Sequence, residues 1–306
     1  MKIAIIGGAG AMGSVFGSFL FNGGNDVHLV DVSKTSVDQI NSAGLTVKNS
    51  AGESRVAAVP ATTDPATVGE VDLIITFVKC YHTEAAIRAA APMIGDSTTV
   101  LSLQNGWGNA QRISDIIGKE RVVVGVTYHS ASLLEPGVVR HNAAGITHIG
   151  ELDGKLSERL GSIAAAFSEA GLDVHQSSQI VSDIWSKLAL NVCTLPTSAL
   201  LRFTAGELPK HNGTLELMRS LLHETALVAN AQGIQLDEEE RWKSIVALLE
   251  RAGAGKSSML QDVENRRLTE IDVINGAITK AAATTNIETP YNLAMVQLIK
   301  ALEETF

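Results

Sequence analysis

The sequence predicts an α/β chain in two parts: a doubly wound, mainly parallel sheet followed by an all-helical C-terminal domain. Three observations predict it. Short apolar runs of strand composition alternate with helix-like stretches from the first residues to about position 175. A glycine-rich turn, Gly7-Gly8-Ala9-Gly10-Ala11-Met12-Gly13, follows the first of those runs. Beyond about Ser182, helical patterns succeed one another with no strand between them. Regular alternation of strand and helix points to a parallel sheet covered on both faces.

The first thirty-one residues organise the rest. Lys2-Ile3-Ala4-Ile5-Ile6 reads as a strand, Ser14 to Phe21 as a helix, and Asp26-Val27-His28-Leu29-Val30 as a second strand ending on Asp31. This order of strand, glycine-rich turn, helix, strand and acid is that of a dinucleotide-binding Rossmann unit. Gly8 is expected to make the tight turn, Gly10 to let the backbone approach a pyrophosphate, and Gly13 to let the helix pack on the strand. The free N–H groups of the first helical turn, at Ala11 and Met12, would face the phosphates. Asp31 follows Gly13 by eighteen residues, close to the usual ~20. Its carboxylate can accept from both ribose hydroxyls and would repel a 2′-phosphate. NAD is therefore expected, with NADP as the alternative because Lys34 stands near enough to receive a phosphate.

Further along, residues 33–43 read as a helix, and 45–49 with 54–59 as a strand pair. Residues 61–69 read as a polar connector. Residues 71–78 have the unbroken apolar composition of a buried parallel strand. Lys79 stands at its C-terminal end, where such sheets bind ligands. A helix over 83–91 and a strand over 98–103 lead to Gln104-Asn105-Gly106-Trp107-Gly108. A short helix at 110–117 and a strand at 122–126 follow. Residues 138–141 and 146–149 read as a hairpin about Ala143-Ala144-Gly145. Residues 156–170 then read as a helix and 172–175 as a last strand. Helices are expected at 182–201, 214–231, 238–250, 258–265, 270–285 and 290–304, with Pro196 kinking or breaking the first. The boundary falls in Gln176-Ser177-Ser178-Gln179, giving domains 1–178 and 179–306, with the active site expected between them.

With 306 residues, 45% of them hydrophobic, both parts can hold a core. A net charge of −9 argues against nucleic acid or an anionic membrane as partner. The two cysteines, Cys80 and Cys193, match no zinc or CxxC spacing, and no metal site is expected. Free thiols suit a reducing compartment, and no apolar run reaches the ~18 residues of a membrane span. A cytoplasmic protein acting on a small molecule is expected. His129 and His148, near strand ends, read as structural histidines, His129 being the better functional candidate.

Two stretches of the helical part could carry chemistry. In Trp185-Ser186-Lys187-Leu188-Ala189-Leu190-Asn191, Lys187 and Asn191 share one helix face. A lysine in an apolar stretch either snorkels to water or is held for chemistry. The second stretch runs from Ser257-Ser258-Met259-Leu260-Gln261-Asp262 to Thr269-Glu270-Ile271-Asp272. By spacing alone it reads as an amphipathic surface helix. Together with Gly8-Ala9-Gly10-Ala11-Met12-Gly13, Gln104-Asn105-Gly106 and Gly145-Ile146-Thr147-His148-Ile149-Gly150, these blocks resemble the ketopantoate reductase (2-dehydropantoate 2-reductase) family along nearly the whole chain.

The resemblance implies roles. The position of Lys187 is that of the general acid at the substrate carbonyl. Glu270 supports the catalytic cluster and counts among the cofactor contacts. Asn105, Asn191 and Ser258 match positions that contact cofactor or substrate, and Lys79 matches a lysine beside the cofactor. A homodimer through the helical domain is expected by analogy. The chemistry is coherent: a protonated Lys187 can donate to the alkoxide developing on a 2-oxo acid. A carboxylate such as Glu270 keeps that ammonium charged. Ser258 and Asn191 can bind the substrate carboxylate without adding charge. On one unbroken helix Ser258 and Glu270 would stand ~18 Å apart; a break near 265–268 is therefore expected.

Two departures from the family shape the expected activity. Members that reduce ketopantoate carry asparagines where this chain has Leu195 and Ala205, so that part of the pocket should be more apolar. NADPH users carry a basic residue in the region of Asp31. The expected activity is hydride transfer between NAD and a 2-oxo or 2-hydroxy acid with an apolar side chain, as in the NAD-dependent 2-hydroxyacid dehydrogenases of the same superfamily. The alternatives are an NADPH-dependent ketopantoate reductase of pantothenate biosynthesis and a non-catalytic dinucleotide-binding sensor.

Overall fold

The computed structural model describes residues 1–306. The chain divides into two compact units, one of residues 1–104 with 109–180, the other of residues 105–108 with 181–306. The loop Asn105–Gly108 thus belongs to the second unit although the chain on either side of it belongs to the first.

The first unit contains β1 (Lys2–Ile6), α1 (Ala11–Asn22), β2 (Asp26–Val30), α2 (Lys34–Ala43), β3 (Leu45–Lys48), β4 (Ser54–Ala57) and β5 (Ala61–Thr62). It continues through β6 (Leu73–Thr76), α3 (Thr83–Ala89), β7 (Thr99–Ser102), α4 (Asn109–Ile117) and β8 (Val122–Thr127). Next come β9 (Ser130–Glu135), β10 (Val138–Ala143), β11 (Thr147–Gly150), α5 (Glu158–Glu169) and β12 (Val174–Gln176). Eight strands form one sheet in the order β12-β11-β8-β7-β6-β1-β2-β5. The pairings from β5 to β8 are parallel, while β11 runs antiparallel to β8. The strand order changes direction between β1 and β6, the place where such sheets open a crevice at their carboxyl ends. β6 and β8 are buried along their whole length, which accounts for their unbroken apolar sequence.

A second sheet, β4-β3-β10-β9, corrects the expected hairpin of 138–141 with 146–149. Val138–Ala143 pairs antiparallel with Ser130–Glu135 and parallel with β3, whereas Thr147–Gly150 joins the large sheet. The turn that decides this is Pro136-Gly137, with Gly137 at φ +74°. It closes a two-residue loop with proline at the first position and a left-handed glycine at the second, the residue pattern of a type II turn. The connector at 61–69 also holds more than expected: Ala61–Thr62 adds an edge strand to β2, and Pro65–Thr67 forms a 3-10 turn.

Helix α1 packs against both sheets, which is why it is apolar on more than one side. Its Gly17 lies against β2: a Cβ there would stand 2.6 Å from Leu29 Cδ2. Val15, Phe16 and Leu20 are fully buried and join one core with Ile3, Ile5, Leu29, Leu45 and Val139. At its edge His129 and His141 share a hydrogen bond between Nδ1 and Nε2 of 2.9 Å, with the rings stacked. Phe16 and Phe19 stand edge-on to the two imidazoles. His129 therefore has a structural partner.

The second unit contains α6, which begins at the boundary (Ile180–Leu201), α7 (Asn212–Ala231), α8 (Glu238–Arg251), α9 (Ser258–Glu264), α10 (Asn275–Ala282) and α11 (Pro290–Glu303). Trp185, Leu188, Val192, Met218, Leu221, Leu222, Ile278 and Ile299 form its buried interior. Pro196 does not end α6. The expected single helix over 270–285 is absent: a 3-10 turn at Ile271–Val273 precedes α10, with Ile274 off helical geometry between them. The break between Ser258 and Glu270 is present: α9 stops at Glu264, and Arg266 takes φ +51°. No helix is long and apolar enough to cross a membrane.

Burial first, and the neighbouring His141 second, lower the His129 pKa from 6.5 to about 4; burial also lowers that of His141. A histidine whose folded pKa lies below its unfolded value destabilises the fold as pH falls through that interval. Melting temperature should therefore drop between about pH 6.5 and 4. The double variant His129→Gln/His141→Gln should lose much of that slope in melts across this range.

Candidate active site

The candidate nucleotide-binding face of the first unit is built on the turn after β1. Gly7 and Gly8 both donate to Val30 O, at 2.9 and 3.1 Å, fastening the turn to β2. The left-handed residue of the turn is Gly7, at φ +76°. Gly8 is required for packing, since a Cβ there would stand 2.8 Å from Leu29 Cβ. Gly13 is pressed on the turn itself rather than on the strand: its Cβ would stand 2.8 Å from Gly8 Cα. Gly10 caps α1, and the N–H groups of Ala11, Met12 and Gly13 lie in the first turn, where helices leave donors free for an anion.

Asp31 is tied to this turn. Its Oδ2 accepts from Ala9 N at 3.1 Å and its Oδ1 from Ser33 N at 3.0 Å. Each oxygen keeps a second lone pair for a ribose hydroxyl. Lys34 is exposed and paired with Asp38 at 2.7 Å. The glycine turn, the donors of the first turn and the Asp31 carboxylate fit a dinucleotide. Lys79 precedes the 3-10 turn Cys80–His82, just past β6. Gln104 holds that region by donating to Val78 O and Thr83 Oγ1, both at 2.8 Å.

In the second unit, α6 carries Lys187, whose Nζ donates to Asn105 Oδ1 at 3.0 Å. Asn105 stands there because its loop is fastened to the turn following Glu270. Trp107 N donates to Val273 O at 2.8 Å, and Gly106, at φ +84°, leaves no room for a Cβ against Val273. The Trp107 and Trp185 rings approach to 6.0 Å. Burial pushes the Lys187 pKa down from 10.5 to about 8, and the charge of Glu270, itself buried, acts in the opposite direction. Lys187, Asn105 and Glu270 thus form one electrostatic group: an ammonium hydrogen-bonded to an amide oxygen, its charge opposed by burial and favoured by a carboxylate.

The other expected residues are distributed around α6. Asn191 lies buried one turn beyond Lys187. Leu195 is buried a further turn on. Ala205 follows the helix, its N–H bound to Gly255 O at 2.9 Å. Ser258 is exposed at the start of α9, while Ser257 caps that helix and donates to Ser198 Oγ at 3.0 Å. No group of three or more His, Cys, Asp or Glu is placed to hold a metal ion.

One supporting residue escaped the sequence analysis. Pro196 has no N–H, so Val192 O loses its usual helical donor. Asn275 Nδ2 replaces it at 3.2 Å and also donates to Asn292 Oδ1 at 3.0 Å. Asn292 is in turn held by the buried Glu224 carboxylate. The signal was available: a proline within a buried helix leaves an orphan carbonyl that some side chain must satisfy.

The fold and the glycine turn define a dinucleotide-binding α/β protein with a helical second unit. Residues 3–154 match the family described as Ketopantoate reductase PanE/ApbA, and residues 179–303 match Ketopantoate reductase PanE/ApbA C terminal. The 2-dehydropantoate 2-reductase of Halobacterium salinarum is 32% identical over 298 residues, 97% of each chain. That of Pyrococcus horikoshii is 34% identical over 303 residues, 99% of this chain and 98% of the other. Among solved structures, the ternary structure of D-mandelate dehydrogenase with NADH and anilino(oxo)acetate is similar with a TM-score of 0.94 and 33% identity, over 100% of this chain and 99% of that one. The chain belongs to the ketopantoate reductase family.

Asn275→Ala should leave Val192 O and Asn292 Oδ1 without their donor. A loss of about 2 kcal/mol or more is expected in urea unfolding.

Proposed function

We propose that this chain is an oxidoreductase that reduces the carbonyl of a 2-oxo acid, with Lys187 as the general acid. The observation that carries this is the half-buried Lys187 ammonium, donating to Asn105 at 3.0 Å and influenced by the Glu270 charge. A bound nicotinamide cofactor would supply the hydride. The Gly7–Gly13 turn and Asp31 would hold its nucleotide half. Lys187 would donate its proton to the oxygen that gains charge as the carbonyl is reduced, and would recover it from solvent afterwards. Run backwards, neutral Lys187 would take the proton from a 2-hydroxy acid. A sensor without turnover has no need of an ammonium set beside a carboxylate that acts on its charge.

For the substrate, the names of the relatives support ketopantoate, the alternative to an apolar 2-oxo acid. This becomes the first reading. The apolar 2-oxo acid is retained as a second reading on specific grounds. Leu195 is buried in α6 where an amide was expected for ketopantoate, Ala205 offers only its backbone, and the D-mandelate dehydrogenase structure is similar throughout. NADH is favoured over NADPH by Asp31 and by the engagement of Lys34 with Asp38.

The test is a kinetic panel of ketopantoate, 3-methyl-2-oxobutanoate and phenylglyoxylate, each with NADH and NADPH. The first reading expects kcat/KM for ketopantoate to lead by about tenfold. Phenylglyoxylate leading with NADH would install the second reading, and no turnover with any pair would leave the sensor. Lys187→Ala should lower kcat by about a hundredfold or more while cofactor affinity holds. Since the acid must be protonated, the rate of reduction should fall as pH rises through about 8, and oxidation should rise over the same interval.

A further inference from the structure

Glu270 sits in an irregular stretch. Helix α9 ends at Glu264, Arg266 is left-handed, and only a 3-10 turn separates Glu270 from Ile274, which is off helical geometry. Such a stretch has little regular backbone bonding of its own to fix a side chain, yet Glu270 is only 7% exposed and acts on the Lys187 charge. The residues flanking it are where that stretch is fastened.

The last turn of α11 fastens them. Glu303 is 8% exposed and continues the buried stripe of Met295 and Ile299, where an apolar residue would ordinarily stand. Its Oε1 accepts twice from Thr269, from the backbone N at 2.8 Å and from Oγ1 at 2.7 Å. Thr269 Oγ1 then accepts from Ile271 N at 3.2 Å, closing a small ring of bonds around Glu270. Lys300, one turn earlier, lies 3.3 Å from Glu303 Oε2 and 2.6 Å from Asp272 Oδ2. Residues on both sides of Glu270 are thus fastened to one helix end.

We propose that Glu303 is a positioning residue: by gripping Thr269 it holds the Glu270 carboxylate where it acts on Lys187. This rests on the assignment of Lys187 as the acid. A carboxylate suits the task because one oxygen can accept two bonds while the other meets Lys300. Without the grip, the stretch carrying Glu270 can shift, and the carboxylate charge moves away from the ammonium it keeps protonated.

The test compares Glu303→Ala, Glu303→Gln, Thr269→Val and Thr269→Ser, assayed with ketopantoate and with phenylglyoxylate. The amide of Glu303→Gln keeps an acceptor for Thr269, and Thr269→Ser keeps the hydroxyl. These two should stay within about threefold of the parent in kcat. Glu303→Ala and Thr269→Val should lose about tenfold in kcat, with cofactor KM little changed. In those two variants the fall of reduction at high pH should also begin at least half a unit lower, because Lys187 gives up its proton more readily. A purely structural anchor would change melting temperature and leave that pH limb in place. Parent-like kcat and limb in both disruptive variants would overturn the proposal, as would a Glu303→Gln as impaired as Glu303→Ala. If Glu303→Ala does not fold, the two threonine variants decide. Lys187→Ala and Glu270→Gln run alongside. Should those remain fully active, the acid assignment fails; should they be inactive while the disruptive variants behave as the parent, only the role of Glu303 fails.

Discussion

The proposed chemistry depends on one electrostatic interaction: a half-buried ammonium opposed to a neighbouring buried carboxylate. Burial alone drives Lys187 toward its neutral form, and the charge of Glu270 opposes it. Asn105 adds an oxygen acceptor without a second negative charge. The balance leaves a proton that is neither locked on nor lost at neutral pH, the condition under which a side chain serves as acid in one direction and base in the other.

Much of the surrounding architecture reads as support for that balance. Lys187 rides on α6, a helix that contains a proline and stays continuous because Asn275 answers the orphaned Val192 carbonyl. Asn105 reaches Lys187 because its loop is fastened to Val273. Glu270 occupies a break between helices that is tied down by α11. In each case the backbone departs from regular geometry, and a side chain or a loop hydrogen bond supplies what the regular geometry would have provided.

The sequence made the large features legible. Alternating apolar runs announced the sheet, the glycine turn with Asp31 suggested where a nucleotide would bind, and the break expected between Ser258 and Glu270 lies between α9 and α10. What stayed hidden was set by partners distant in the chain. The pairing of β9 with β10 turned on Pro136-Gly137, overlooked beside the more obvious Ala143-Ala144-Gly145. The left-handed residue of the turn was Gly7, one position before the motif glycine, because packing against Leu29 rather than torsion explains Gly8. Glu303 drew no notice in the sequence; its place on the stripe of Met295 and Ile299 is what marks it as a buried group in need of a partner. Asn105 was singled out by resemblance, yet no local pattern indicated that its loop would join the second unit.

The most direct test of this account is the titration of Lys187 itself, followed by NMR on protein carrying 13C-labelled lysine and assigned with a Lys187→Met variant. The account predicts a Lys187 resonance titrating near pH 8 and moving lower in Glu270→Gln. A lysine titrating at its ordinary value of 10.5, or one indifferent to Glu270, would contradict it.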